Sequence, residues 1–275
     1  MTSPGRAPVA VVTGASSGIG LAAAVELGRR GWRVVLLGRD PDRLAAAERR
    51  VTEVAGQAPA AYRCDLNSFA QIRQVAAQIR RDHERIDVLA NNAGGRIGAR
   101  RLTEDGFEET IQANHLGHFL LSHLLRDRLA GGRVINTTSL MHRFGRLDPA
   151  DLNSERRRYR AFGVYSTAKQ ATVLFTVEAV RRWPEITTVC FSPGVVRTRF
   201  GRDSAIQEFF FRYAPGLSSP EQAASTLVML ATADRATLVP GGYYEDGRPR
   251  RAAARATDAD LAARLWVASE KAVGL

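Results

Sequence analysis

Short apolar runs alternate with longer amphipathic stretches along the first two thirds of the chain. The runs at 9–13, 33–37, 60–64, 88–91, 133–137 and 187–191 are rich in Val, Ile and Leu and barely alternate with polar residues. Such runs predict strands covered on both faces. Helical spacing fills the gaps, over 19–30, 41–54, 69–81, 107–129 and 161–182. Strand and helix in regular alternation predict an α/β class, a doubly wound parallel sheet of about seven strands with helices on both faces. No repeat or long linker breaks the rhythm, so residues 1–275 are expected to form one domain.

The rhythm changes after Phe191. Ser192-Pro193-Gly194 breaks the strand, and residues 198–219 are mixed, with an aromatic cluster at Phe209, Phe210, Phe211 and Tyr213. A helix is expected over 220–231, with Ser219 as N-cap and Pro220 in its first turn. Gly241-Gly242-Tyr243-Tyr244 predicts a last short strand, and 257–273 a closing helix.

Composition narrows the class. No run of eighteen apolar residues exists, so no transmembrane helix is expected. The first eight residues lack the apolar stretch of a signal peptide. Cys64 and Cys190 are too few for a disulfide framework and are expected to be reduced, buried thiols of a cytoplasmic protein. The net charge of +11 suggests a polyanion partner at first sight. Its make-up argues otherwise: Lys169 and Lys271 are the only lysines, and the arginines are scattered. A solvated basic surface, with no nucleic-acid partner, is the expectation, together with some steering of phosphorylated anions.

The first strand runs into Thr13-Gly14-Ala15-Ser16-Ser17-Gly18-Ile19-Gly20. A strand, a glycine-rich turn and a helix start form a phosphate cradle: glycines let the backbone approach the pyrophosphate, and the helix offers unpaired N–H groups. The spacing G-x-x-x-G-x-G departs from the usual dinucleotide fingerprint, and alone it could be a tight turn. In this Rossmann-type context Gly14, Ser16, Ser17, Gly18, Ile19 and Gly20 are expected to bind a dinucleotide. The second strand ends at Gly38-Arg39-Asp40. An arginine at this point suits a 2′-phosphate, so NADP is favoured and NAD is the alternative. Asp40 reads as an N-cap before Pro41, or as a ribose contact.

Tyr165 and Lys169 stand four apart on a predicted helix, hence on one face. A phenol has a pKa of about 10, and a neighbouring ammonium lowers it, which makes a tyrosine usable as an acid/base near neutrality.

These residues, together with Asn91-Asn92-Ala93-Gly94 and Ser139, resemble the short-chain dehydrogenase/reductase family over nearly the whole chain. The branch resembled is that of the retinol dehydrogenases. Its flavour lies in Asn114-His115-Leu116-Gly117-His118-Phe119, in Asp151-Leu152-Asn153, in Pro193-Gly194-Val195-Val196-Arg197-Thr198, and in Leu265-Trp266-Val267-Ala268-Ser269-Glu270. The resemblance implies a Rossmann-type oxidoreductase that interconverts a carbonyl and an alcohol by hydride transfer with NADP(H). It implies that Tyr165 exchanges the proton, Lys169 lowers its pKa and binds the nicotinamide ribose, and Ser139 holds the substrate oxygen. Asn114 would hold the active-site helix and a relaying water. Asp65 and Leu66 would flank the adenine, Asn91, Ala93 and Gly94 would line the cofactor cleft, and Pro193, Gly194, Val196 and Thr198 would cover the nicotinamide. The longer gap between Ser139 and Tyr165, filled by residues 148–160, fits the same branch. An N-terminal membrane anchor like that of several animal members is not expected, which argues against a membrane-bound retinoid role.

Residues 198–219 are then the expected substrate loop. The Phe209 to Phe211 patch reads as a lid, a subunit interface or a membrane contact, and as a lid it favours a lipophilic small-molecule substrate. A homodimer and a homotetramer are both compatible with the sequence. The competing reading is a catalytically silent dinucleotide-binding scaffold or regulator, against which the intact Ser139, Tyr165 and Lys169 set argues. His115, His118 and His123 share no single helix face and have no carboxylate or cysteine to complete a metal site.

Overall fold

The computed structural model describes residues 6–95, 98–194 and 218–275. Its strands are β1 (Val9–Thr13), β2 (Arg33–Gly38), β3 (Ala60–Arg63), β4 (Val88–Asn91), β5 (Arg133–Thr137), β6 (Thr187–Ser192), β7 (Tyr243–Glu245) and β8 (Arg248–Arg250). They form one sheet in the order β3-β2-β1-β4-β5-β6-β7-β8. Each pairing is parallel except the last. The chain works outward from β1 to β3, then crosses back to lay β4 on the other side of β1. This reversal splays the connections above β1 and β4 and opens a crevice at their carboxyl ends.

The helices are α1 (Gly18–Arg29), α2 (Pro41–Ala55), α3 (Phe69–Asp82), α4 (Glu109–Ile111), α5 (Gly117–Leu124), α6 (Ala161–Arg182), α7 (Pro220–Thr232) and α8 (Ala259–Val273). Local chemistry sets their ends. Asp40 accepts the Arg43 N–H at 3.0 Å and Ser68 that of Gln71 at 3.4 Å, while Ser219 and Gln222 form a reciprocal capping box. Asp40 is therefore spent on the α2 cap.

Two cores sandwich the sheet. Ala23, Ala24 and Leu27 of α1 and Leu227 and Leu230 of α7 pack with Val12, Leu36, Ala90 and Ile135 on one side. On the other, Ile72 and Ile79 of α3, Leu116, Phe119 and Leu120 pack with Val11, Val35, Leu89 and Val134. Strand residues thus face apolar neighbours above and below, which is why their sequences show continuous runs. Helix α8 closes the second layer. Its Trp266 meets Phe119 and Trp183 with ring centroids 5.0 Å apart, edge to face.

Among the described residues the sheet has eight strands, one more than the apolar runs suggest. Strand β8 is Arg-Pro-Arg and carries no apolar pattern. It is made by a hairpin whose two central residues, Asp246 and Gly247, both have positive φ, 48° and 71°. The long helix expected over 107–129 is also not uniform. Between α4 and α5 the chain widens into a π-helical turn, Gln112–Leu116, where the Gly117 N–H reaches five residues back to the Gln112 carbonyl. No described helix is long and apolar enough to cross a membrane.

Trp266 is almost wholly buried among aromatic rings. Trp266→Ala is expected to lower the unfolding free energy by about 3–5 kcal/mol, seen as an earlier urea midpoint with an unchanged slope.

Candidate active site

The glycine turn leaves β1 where the sheet crevice opens. Gly14 has φ +67°, and a Cβ there would lie 2.9 Å from the Ala93 Cα. A Cβ on Gly20 would strike the Gly14 carbonyl and come within 2.6 Å of the Asn92 side-chain nitrogen. The turn, the start of α1 and the end of β4 are thus in backbone contact. Ser17 gives α1 no side-chain cap, and the first turn holds no acidic residue. The unpaired N–H groups and the helix dipole are left for an anion, so the residues fit the pyrophosphate of a dinucleotide.

A hydrogen-bonded chain ties this turn to the helix below it. The Thr13 hydroxyl oxygen accepts the Asn92 and Ala93 N–H groups, both at 2.9 Å. It lies 3.0 Å from His118 Nε2. His118 Nδ1 is 3.3 Å from the Asn114 carbonyl, which can only accept. The proton therefore sits on Nδ1, and Nε2 accepts a hydrogen bond from the Thr13 hydroxyl, whose other acceptor is the Ala90 carbonyl at 3.3 Å. Burial pushes the His118 pKa down to about 3 and keeps the ring neutral.

Asn114 sits in the π-helical turn. Its Nδ2 donates to the Thr110 carbonyl at 2.8 Å and to the Gly95 carbonyl at 2.9 Å. Its Oδ1 is buried and has no hydrogen-bond partner among the described residues. A Cβ on Gly94 would press on that oxygen and lie 3.3 Å from Lys169 Nζ. The space above Gly94 is therefore bounded by an unspent acceptor and an ammonium.

Lys169 and Tyr165 rise from α6, one turn apart. Nζ lies 5.6 Å from the centre of the Tyr165 ring and donates to the Thr137 carbonyl at 3.1 Å. The Thr138 hydroxyl donates back to the Lys169 carbonyl at 2.8 Å. These two bonds latch the end of β5 to α6, and Ser139 follows immediately, accepting the Met141 N–H at 3.3 Å. Burial lowers the Lys169 pKa to about 8. The arrangement sets a phenol ring over a buried cation, with Ser139 on the strand end latched to the same helix. A phenol beside an ammonium is suited to exchange a proton with an oxygen brought against it.

The end of the crevice near Arg39 is more open. Arg39 is exposed and borders a cavity of about 540 Å³, which Asp65, Ser68 and Gln71 also line. Arg63 donates from Nε to the Arg39 carbonyl at 3.2 Å and fixes that strand end. Asp65 Oδ1 accepts the Asn67 N–H at 3.0 Å. Leu66 is buried and joins the core. The Asn91 side chain is buried between β4 and α5, donating to Ser122 and Asn136 at 3.0 and 2.8 Å. Pro193 and Gly194 end β6 at the cleft, whereas Val196, Thr198 and the Phe209 to Phe211 patch lie outside the described residues.

The histidines take separate partners: His115 meets Ser269 at 2.8 Å and His123 packs on Trp183 at 4.9 Å. His142 is buried, donates from Nδ1 to the Ser139 carbonyl at 2.7 Å and accepts the Ala253 N–H at 3.1 Å. Sequence reasoning missed the supporting shell of Thr13, Asn92, His118 and Glu108. Glu108 caps α4 by accepting the Thr110 and Ile111 N–H groups, and Tyr159 and Asn153 of the 148–160 insertion hold it from the other side. The insertion thus braces the helix that carries Asn114.

The short chain dehydrogenase family model matches residues 8–208. This chain belongs to that family. The Streptomyces sp. (strain C5) protein named "Putative daunorubicin C-13 ketoreductase DnrU" is 49% identical, over 98% of this chain and 93% of its own length. Human retinol dehydrogenase 13 is 39% identical, over 100% of this chain and 86% of its own length. A short-chain dehydrogenase from Sphingobium yanoikuyae, solved in complex with NADPH, superposes with a TM-score of 0.65 at 25% identity, covering 81% of this chain and 84% of that one. The protein is an oxidoreductase of the CH–OH/C=O class.

His115 and His118 both stay neutral in the fold, with pKa values pushed down to about 3 by burial. Unfolded histidines take a proton below pH 6.5 or so, which the folded ones refuse. Stability is therefore lost as pH falls through that value, by roughly 1.4 kcal/mol per histidine per pH unit. Thermal unfolding at pH 7 and pH 5 is expected to show the drop, and His118→Phe to make it shallower.

Proposed function

We propose that this protein is an NADP(H)-dependent carbonyl reductase or alcohol dehydrogenase for a lipophilic small molecule, with Tyr165 as its acid/base. The observation that carries the reading is the buried Lys169 ammonium beneath the Tyr165 ring, latched to the strand end that presents Ser139. The residues around Gly14, Ser16, Ser17, Gly18, Ile19 and Gly20 would hold the pyrophosphate, Asp65 the adenine end, and Lys169 the nicotinamide ribose. Arg39 would pair with a 2′-phosphate. When bound, the nicotinamide supplies or accepts the hydride.

The chain's own residues do the remainder. Ser139 orients the substrate oxygen by a hydrogen bond. Tyr165 donates its proton to that oxygen in reduction and takes it back in oxidation. Lys169, held by the Thr137 carbonyl, favours the phenolate and so brings the phenol's pKa nearer neutrality. The buried Asn114 Oδ1 and the Lys169 ammonium enclose the space through which the phenol is reprotonated. Relatives named for a ketone substrate and for retinol support a substrate whose carbonyl or alcohol is borne on a lipophilic skeleton.

Fluorescence titration with NADPH, followed by a carbonyl panel read at the NADPH absorbance, tests this. Tyr165→Phe is expected to bind NADPH normally and to lose roughly 10²–10⁴ in kcat; unchanged turnover would end the assignment. Arg39→Ala is expected to weaken NADPH by tenfold or more, the loss of about 1.5–3 kcal/mol that a charged hydrogen bond carries, and to leave NADH within twofold or so. Equal weakening of both would remove the 2′-phosphate role.

A further inference from the structure

We propose that Phe144 and Phe162 form an aromatic clamp for the non-reacting end of a flat, fused-ring carbonyl substrate. The inference rests on the function proposed above and names its substrate class. Scattered exposed apolar residues need no explanation, but these two are exposed and meet each other. Phe144 is 60% exposed and Phe162 is 51% exposed, and their ring centroids are 6.3 Å apart with planes tilted by 46°.

Each ring belongs to an element that carries a proposed catalytic hydroxyl. Ser139 caps the 3-10 turn Leu140–Phe144, which ends on Phe144. Phe162 lies in the first turn of α6, three residues before Tyr165 and seven before Lys169, so the three share one stripe. Side chains on a helix lean toward its N-terminus, so the Phe162 ring lies beyond Tyr165 along α6, on the side of that stripe away from Lys169.

The pair is held firmly from behind. The Arg146 N–H donates to the Thr167 hydroxyl at 3.2 Å, and the Leu147 N–H to Gln170 Oε1 at 3.0 Å. The backbone just after Phe144 is thereby fixed to α6 within five to eight residues of Phe162. Two tilted rings on a rigid frame offer offset and edge-to-face contacts to a third planar ring without an ordering cost. A flexible aliphatic chain gains no such geometry. The pair therefore selects a planar aromatic skeleton, with its carbonyl reaching inward to Ser139 and Tyr165.

The test compares 2-acetylnaphthalene with hexanal, using wild type, Phe144→Ala, Phe162→Ala and the double variant. Both side chains are largely exposed, so the fold should survive, and an unchanged NADPH dissociation constant verifies this. The expected result is a KM for 2-acetylnaphthalene raised about tenfold in the double variant, with hexanal changed less than twofold. Phe144→Tyr with Phe162→Tyr should keep the preference. Equal effects on both substrates, or none, overturn the clamp and leave the reductase reading intact. Sedimentation velocity separates the rival use of the patch: variants that break a wild-type oligomer without changing the substrate preference make it a subunit contact and overturn the clamp. A wild type that binds NADPH yet reduces neither compound overturns the parent reading, and the clamp with it.

Discussion

A cation buried under a phenol constrains the arrangement of this molecule more than any other group. Lys169 is withdrawn from water, which disfavours its charge and draws its pKa down to about 8. A full positive charge in such a place needs oxygen around it. The Thr137 carbonyl supplies one contact, and the unspent Asn114 Oδ1 faces the same space. The β5–α6 latch, the widened turn at Asn114 and the missing side chain at Gly94 each leave room for the ammonium or oxygen for it.

The second organising element is a polar thread through the core. It runs from the Asn92 and Ala93 N–H groups to the Thr13 hydroxyl, on to a neutral His118, and ends at the Asn114 carbonyl. One end touches the glycine turn and the other the helix beside Lys169. The two halves of the crevice are therefore positioned by one set of bonds. The π-helical turn belongs to this design. Widening the helix by one residue alters which carbonyls it satisfies, and the Asn114 side chain takes the one at Thr110.

The sequence reading succeeded where physics acts locally. Strands β1, β2, β4, β5 and β6 appear as apolar runs because both faces are covered, and the starts of α2 and α7 appear because Asp40 and Ser219 are capping residues. Tyr165 and Lys169 were readable because four residues make one helical turn. The rest depends on partners far apart in the chain. Thr13 and His118 are separated by 105 positions and Glu108 and Asn153 by 45, so no window of sequence contains either pair. The π turn was hidden because a five-residue stretch with four buried positions fits either helical period. Asn91 was placed in the cleft by its motif, yet its buried side chain is bonded to Ser122 of α5 and Asn136 of β5. Strand β8 escaped notice although Asp246-Gly247 is a hairpin dipeptide, because its own residues have no apolar pattern.

That hairpin bears on how the sheet ends. Beyond β6 the structure adds a short reversed ribbon whose outermost strand is Arg248-Pro249-Arg250. Proline offers no N–H to an incoming strand, and two exposed guanidinium groups repel a second copy of the same edge. The border is thereby made a poor template for cross-strand growth, which protects an arginine-rich chain built on one large sheet from stacking edge to edge into aggregates.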